Sequence, residues 1–184
     1  MAANDLTTVA NVQQYLGIAA GTDDQLLARM VTAISGTIQS WLNRKLVLQA
    51  YTENRDGHGG TTMYFRDYPV QSVTSVVVNA QAISLAADIT QPGYTFNELG
   101  VFLNGYRFTR GRNNVQLAYT AGYASIPFEI EEAVIETLAV RYRERDRIGQ
   151  VSKAIGGETV TFMVKDFPDS VMTLLQNYKQ VTTL

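Results

Sequence analysis

The sequence predicts an α+β fold, a small helical core with one antiparallel β-domain inserted into it. Three observations predict this. Apolar residues recur at helical spacing up to about residue 43 and again from about residue 127, the period drops to two between roughly 46 and 123, and helical spacing returns in a short closing segment. Helices are therefore expected near 8–16, 22–43, 127–148 and 168–178, around a β-insert near 46–123. The 184 residues form a single domain, with a helical core of 1–45 and 124–150 and a C-terminal segment of 151–184.

The first helix carries Val9, Val12, Tyr15 and Leu16 on one side, and Gly17 follows as its stop. Thr22 and Gln25 have the spacing of a capping box. After them, Leu26, Leu27, Met30, Val31, Ile34, Ile38, Trp41 and Leu42 fall on one broad stripe of a helix ending near Asn43. Alternation begins at Leu46. Tyr51 to Arg55 and Thr61 to Phe65 read as strands flanking NRDGHGG, which reads as a glycine-rich hairpin tip around His58. Val73 to Val78 is β-branched, Asn104-Gly105 has the signature of a type I′ hairpin, and Asn114 to Thr120 places Val115, Leu117 and Tyr119 on one face. Pro127 opens the next helix. Glu129, Glu131 and Glu132 lie in its first turns, and the arginines of RYRERDR (141–147) in its last. A β-like run at Val160 to Val164 and a short helix after Pro168 complete the chain.

Composition excludes several classes of function. With no cysteine there is no disulfide framework, thiolate zinc site or cysteine nucleophile. A net charge of −2 gives no overall attraction to nucleic acid or to an anionic membrane. No apolar run of about 18 residues is present to span a bilayer, and MAANDLTT has neither the basic nor the apolar part of a secretion signal. His58 is the single histidine, with no G-x-S-x-G elbow, HExxH or P-loop beside it, so no catalytic residue, metal ligand or cofactor is expected. The pairs Asp23-Asp24 and Glu131-Glu132 lie at helix starts, where carboxylates are stabilising in any case. The Arg141–Arg147 run has two readings: a solvated or protein-binding helix face, interrupted by Glu144 and Asp146, or a DNA-binding module.

Three phrases carry a resemblance. LTTVANVQQYLGI followed by DDQLLARMVTAISGTIQSWLNRKL, then YFRDYPVQSVTSVVVN, then NNVQLAYTAGYASIPFEIEEAVIETLAVRY resemble, in this order, the bacteriophage head-to-tail connector (adaptor) proteins. The resemblance covers about residues 6 to 165 and implies a structural virion protein with no enzymatic activity and no cofactor. It implies a ring, dodecameric in the virion, that lies under the portal protein and extends the DNA channel. The ring would offer its lower face to a stopper or tail protein, and DNA would pass without stable binding. A tail-completion or stopper protein of the same neck is the alternative. The expected location is the virion neck, after synthesis in the host cytoplasm, with no membrane partner. The resemblance also implies that the C-terminal segment reaches the portal. On that basis Val160, Phe162, Val164, Val171, Leu174, Leu175 and Tyr178 are expected to dock there, and Trp41, Arg44, Arg141 and Arg145 to line the ring interface.

Overall fold

The computed structural model describes residues 3–145, 152–155, 158–161 and 167–180. The chain divides into two compact units, Met1–Arg44 with Ile126–Leu184, and Lys45–Ser125. Helices and antiparallel sheets make the fold α+β, as the sequence predicts.

In the first unit, α1 (Val9–Leu16), α2 (Asp24–Leu42), α3 (Phe128–Glu144) and α4 (Asp169–Gln176) enclose a core in which Val12, Leu27, Ile34, Ile38, Ile130 and Leu138 are almost fully buried. Thr8 caps α1 by accepting a hydrogen bond from the Asn11 backbone, and Gly17 closes it in the left-handed conformation. The capping box at Thr22 does not form. Asp23, itself left-handed at φ 53°, precedes α2 and caps nothing with its side chain. The loop is closed instead by the Asp24 carboxylate, whose Oδ1 accepts from Gln13 Nε2 at 2.6 Å and from the Gly21 backbone at 3.1 Å. Helix α3 begins after Pro127 as expected and is described to Glu144; its expected end near 148 lies outside the described residues.

In the second unit β1 (Gln49–Gly57), β3 (Val70–Val78), β4 (Gln81–Ile83) and β7 (Gly111–Ala121) form a four-stranded sheet in the order β1-β7-β3-β4. The strands β2 (Thr62–Tyr64), β5 (Gly93–Phe96) and β6 (Gly100–Asn104) form a three-stranded one, β2-β6-β5. Side chains of both sheets share one core, in which Val76, Val101, Phe108, Val115, Leu117 and Tyr119 are at most 1% exposed.

Two turn assignments change, and one turn appears that the sequence did not suggest. Asn104-Gly105 is not a hairpin: Tyr106 to Phe108, which the sequence sets as its second strand, form no strand, and β6 has β2 and β5 on its two edges. NRDGHGG is not a hairpin tip either, because β1 pairs with β7 and β2 with β6. The segment is a crossover from one sheet to the other. The type I′ hairpin signal falls at Asn79-Ala80, with φ of 48° and 64°, joining β3 to β4. Gly122, in the AGY phrase that ends β7, has φ 113°, and a Cβ there would stand 2.7 Å from the Val47 carbonyl oxygen.

Near the C-terminus, β8 (Ser152–Ile155) pairs with β9 (Glu158–Thr161), so the described part of the Val160 run has its partner strand within the chain. Phe162 and Val164 lie outside the described residues.

Candidate functional site

The acidic residues at the helix starts are structural ties. Glu131 Oε1 accepts from Thr7 Oγ1 at 2.9 Å and from Asn11 Nδ2 at 2.6 Å, binding α3 to the start of the chain. Asp23 Oδ2 accepts from the Tyr142 hydroxyl at 2.7 Å and lies 3.6 Å from Arg145. The Arg145 guanidinium also lies 4.0 Å from the centre of the Tyr142 ring.

Helix α4 is tied in the same manner. Val171 and Leu175 are fully buried in the helical unit, Ser170 donates to Glu136 at 2.7 Å, the Tyr178 hydroxyl donates to Glu129 at 2.5 Å, and the Gln180 backbone donates to Leu42 O. This corrects the docking assignment for Val171 and Leu175, because a side chain filling its own core offers no surface to a partner. Leu174 and Tyr178 are half-buried; the exposed edge of α4 is Met172, Thr173 and Gln176.

Of the four residues assigned to a ring interface, Arg44 is 8% exposed and its Nη1 donates to Tyr178 O at 3.5 Å, so it is an internal tie between α2 and α4. Trp41 is half-buried with the Lys179 ammonium 4.4 Å from its ring centre. Arg141 and Arg145 are exposed. The unit's apolar surface is elsewhere. Phe128 is 85% exposed at the start of α3, and with Tyr15 on α1 it borders a groove whose rim includes Glu131 and Glu132. The sequence shows Phe128 beside a helix-opening proline, but no periodicity distinguishes an outward aromatic there from a buried one.

In the second unit the strongest polar constellation centres on Glu53 of β1. Its Oε1 accepts from the Tyr119 hydroxyl and from the Arg66 backbone, and its Oε2 from Arg55 at 2.9 Å. Burial pushes the Tyr119 hydroxyl well above the ordinary phenol range, and the hydrogen bond to Glu53 acts in the same direction. Tyr119 in the unfolded chain ionises near 10, so its contribution to stability is complete below that pH and falls as the pH rises above it. Urea unfolding is therefore expected to lose stability above pH 10 with a slope steeper by about 1.4 kcal/mol per pH unit than in Tyr119→Phe. Equal slopes in the two proteins would contradict the assignment.

His58 is exposed and stacks on Phe108 with ring centres 6.3 Å apart. Around it, Gly59 N donates to Phe108 O, Phe108 N donates to Gly60 O, and Arg107 Nη1 donates to Gly59 O at 3.4 Å. Among the described residues no group of three His, Cys, Asp or Glu is placed to hold a metal ion, and no helix is long and apolar enough to cross a membrane.

The model of the head completion protein family matches residues 5–181, and the chain belongs to that family. Its fold is similar to a chain in the neck of a native gene transfer agent (GTA) particle computed with C12 symmetry, at TM-score 0.59 and 19% identity over 96% of this chain and 90% of that one. It is similar to a chain in the neck of the empty GTA particle computed with C6 symmetry, at TM-score 0.61 and 19% identity with the same coverage. The virion of the native gene transfer agent contains a further match, at TM-score 0.59 and 19% identity over 100% of this chain and 98% of that one. No curated protein matches the chain.

Proposed function

We propose that this protein is the head-to-tail adaptor of its virion, forming a closed ring under the portal that extends the DNA channel and receives a stopper or tail protein. The observation that carries this reading is the family match over residues 5–181, which takes in both units of the fold. The similarity to neck chains computed with C12 and C6 symmetry supports a cyclic arrangement. The protein acts by assembly and carries out no catalysis.

A cyclic ring repeats one heterologous contact until it closes, so each subunit must present two different faces. Helix α3 has them at its ends, about 25 Å apart for its 17 residues. Phe128 stands exposed at the acidic start, and Arg141, Arg143 and Arg145 occupy the other end. The acidic start of one copy meeting the basic end of the next gives a contact with one sense of rotation. Docking to the portal falls to the segment from 151 onward and to the exposed edge of α4, since Val171 and Leu175 are committed to the core. A DNA-binding module on the Arg141–Arg147 helix is the weaker reading, because Arg145 is already engaged by Asp23 and Tyr142.

Sedimentation of the full chain with its portal tests the proposal. A complex heavier than the portal alone is expected, and the protein remaining at its own sedimentation rate in the presence of portal would refute it.

A further inference from the structure

The crossover that contains His58 and the segment that leads into β7 converge at one end of the second unit. The 107–112 stretch RFTRGR contributes Arg107, Arg110 and Arg112, all exposed, and none of the three forms an ion pair among the described residues. Arg110 lies across the crossover: a Cβ on Gly59 would stand 3.5 Å from its Cγ and Nε. In segments 54–62 and 104–116 the only carboxylate is Asp56, whose Oδ1 accepts from the Asn113 backbone at 2.6 Å. On a chain of net charge −2, this end is a local concentration of positive charge.

The end is also braced. Asn114 Oδ1 accepts from Gly57 N at 2.8 Å, while its Nδ2 donates to Thr109 O at 2.8 Å and to Asn79 Oδ1 at 2.9 Å. Asn79 Nδ2 in turn donates to Thr109 Oγ1 at 2.6 Å. The arginines therefore project from a fixed backbone frame, which lowers the entropy lost when they engage a ligand.

We propose that this tip contacts the phosphodiester backbone of duplex DNA. Guanidinium groups pair with phosphate oxygens through two parallel hydrogen bonds, and contacts of this kind position a duplex without reading its sequence. A protein partner would need an apolar centre inside the patch. Within the 107–112 stretch the one aromatic, Phe108, is fully buried, and the adjoining Tyr106 is 37% exposed. The anion-binding geometry stands alone, whereas the choice of duplex DNA rests on the adaptor reading. Three contacts per copy give weak binding with a salt slope of about −2.7, so the tip guides DNA at low affinity and does not hold it at physiological salt.

The test is fluorescence anisotropy of a labelled mixed-sequence duplex with the full chain, from about 20 to 150 mM salt. The variant is R110Q/R112Q, which leaves the Arg107 tie to Gly59 in place. Wild type is expected to bind at low salt and lose binding by 150 mM. The variant should be about tenfold weaker at low salt, with a slope shallower by about two. R141Q/R145Q should bind as wild type does. Three results would overturn the proposal: no binding by wild type at low salt, unchanged binding by R110Q/R112Q, or binding of polyglutamate as tight as that of DNA. Sedimentation of R110Q/R112Q with portal distinguishes this proposal from the adaptor reading, because loss of DNA contact should leave portal association intact.

Discussion

Replacing Leu175 with alanine is expected to lower the unfolding free energy by about 2–5 kcal/mol, with the exposed control Met172→Ala staying within about 0.5 kcal/mol of wild type. Leu175 is fully buried, and α4 is held on both sides of it by Ser170 to Glu136, Tyr178 to Glu129 and Gln180 to Leu42. The side chain is therefore in a packed interior whose neighbours are fixed by hydrogen bonds, and such a site collapses poorly around a cavity. Urea unfolding of the isolated protein reads the effect directly. If Leu175 were instead a docking residue, the variant would keep its stability and lose only portal binding. That outcome would overturn the assignment of α4 to the core.

Gly57→Ala is expected to cost about 1–3 kcal/mol, with the strain concentrated at the basic tip. An alanine Cβ at this position would stand 1.9 Å from the Thr109 carbonyl oxygen and 2.9 Å from the carbonyl carbon behind it. Both are backbone atoms, and Thr109 O is also the acceptor for Asn114 Nδ2. Relief of the clash therefore pulls on the amide network that braces the tip. The register between β1 and β7 already shifts between Arg55 and Gly57, a bulge that brings the two backbones together here. Gly36→Ala in α2 is the matched control, with nothing within 4 Å of its Cβ, and it should stabilise the protein slightly. Unfolding midpoints of the two variants that move together would contradict the close approach at Gly57.

Periodicity located the helices and the β-domain because burial follows spacing in both. The α2 stripe buries Leu27, Val31, Ile34, Ile38 and Leu42 but leaves Leu26 exposed and Met30 and Trp41 half-buried at its edges, while the alternation of Val115, Leu117 and Tyr119 buries all three residues the pattern selects. Turn chemistry failed where strand pairing is non-local. Asn104-Gly105 has hairpin composition, yet Tyr106 to Phe108 after it form no strand, and both edges of β6 are taken by β2 and β5. The I′ turn at Asn79-Ala80 was hidden because alanine replaces the expected glycine at a positive φ. For the same reason NRDGHGG looked like a tip between two paired strands: nothing local reports that β1 and β2 join different sheets.

The interaction surfaces were less legible still. The apolar spacing of Val171 and Leu175 is that of any amphipathic helix, and spacing does not say whether the chain's own core or a partner covers the stripe. Arg44 follows the C-terminal end of α2 like a solvent-facing cation, but the fold buries it against Tyr178 O. Arg107, Arg110 and Arg112 are plain in the sequence. Their meaning depends on the crossover from β1 to β2 coming back alongside them, which only the tertiary structure shows.

Electron microscopy of the full chain mixed with its portal tests the central claim most directly. The adaptor account predicts a second closed layer on one face of the portal, with the cyclic symmetry of the neck and an open central channel. A portal whose faces remain bare at saturating concentrations of the protein would contradict it.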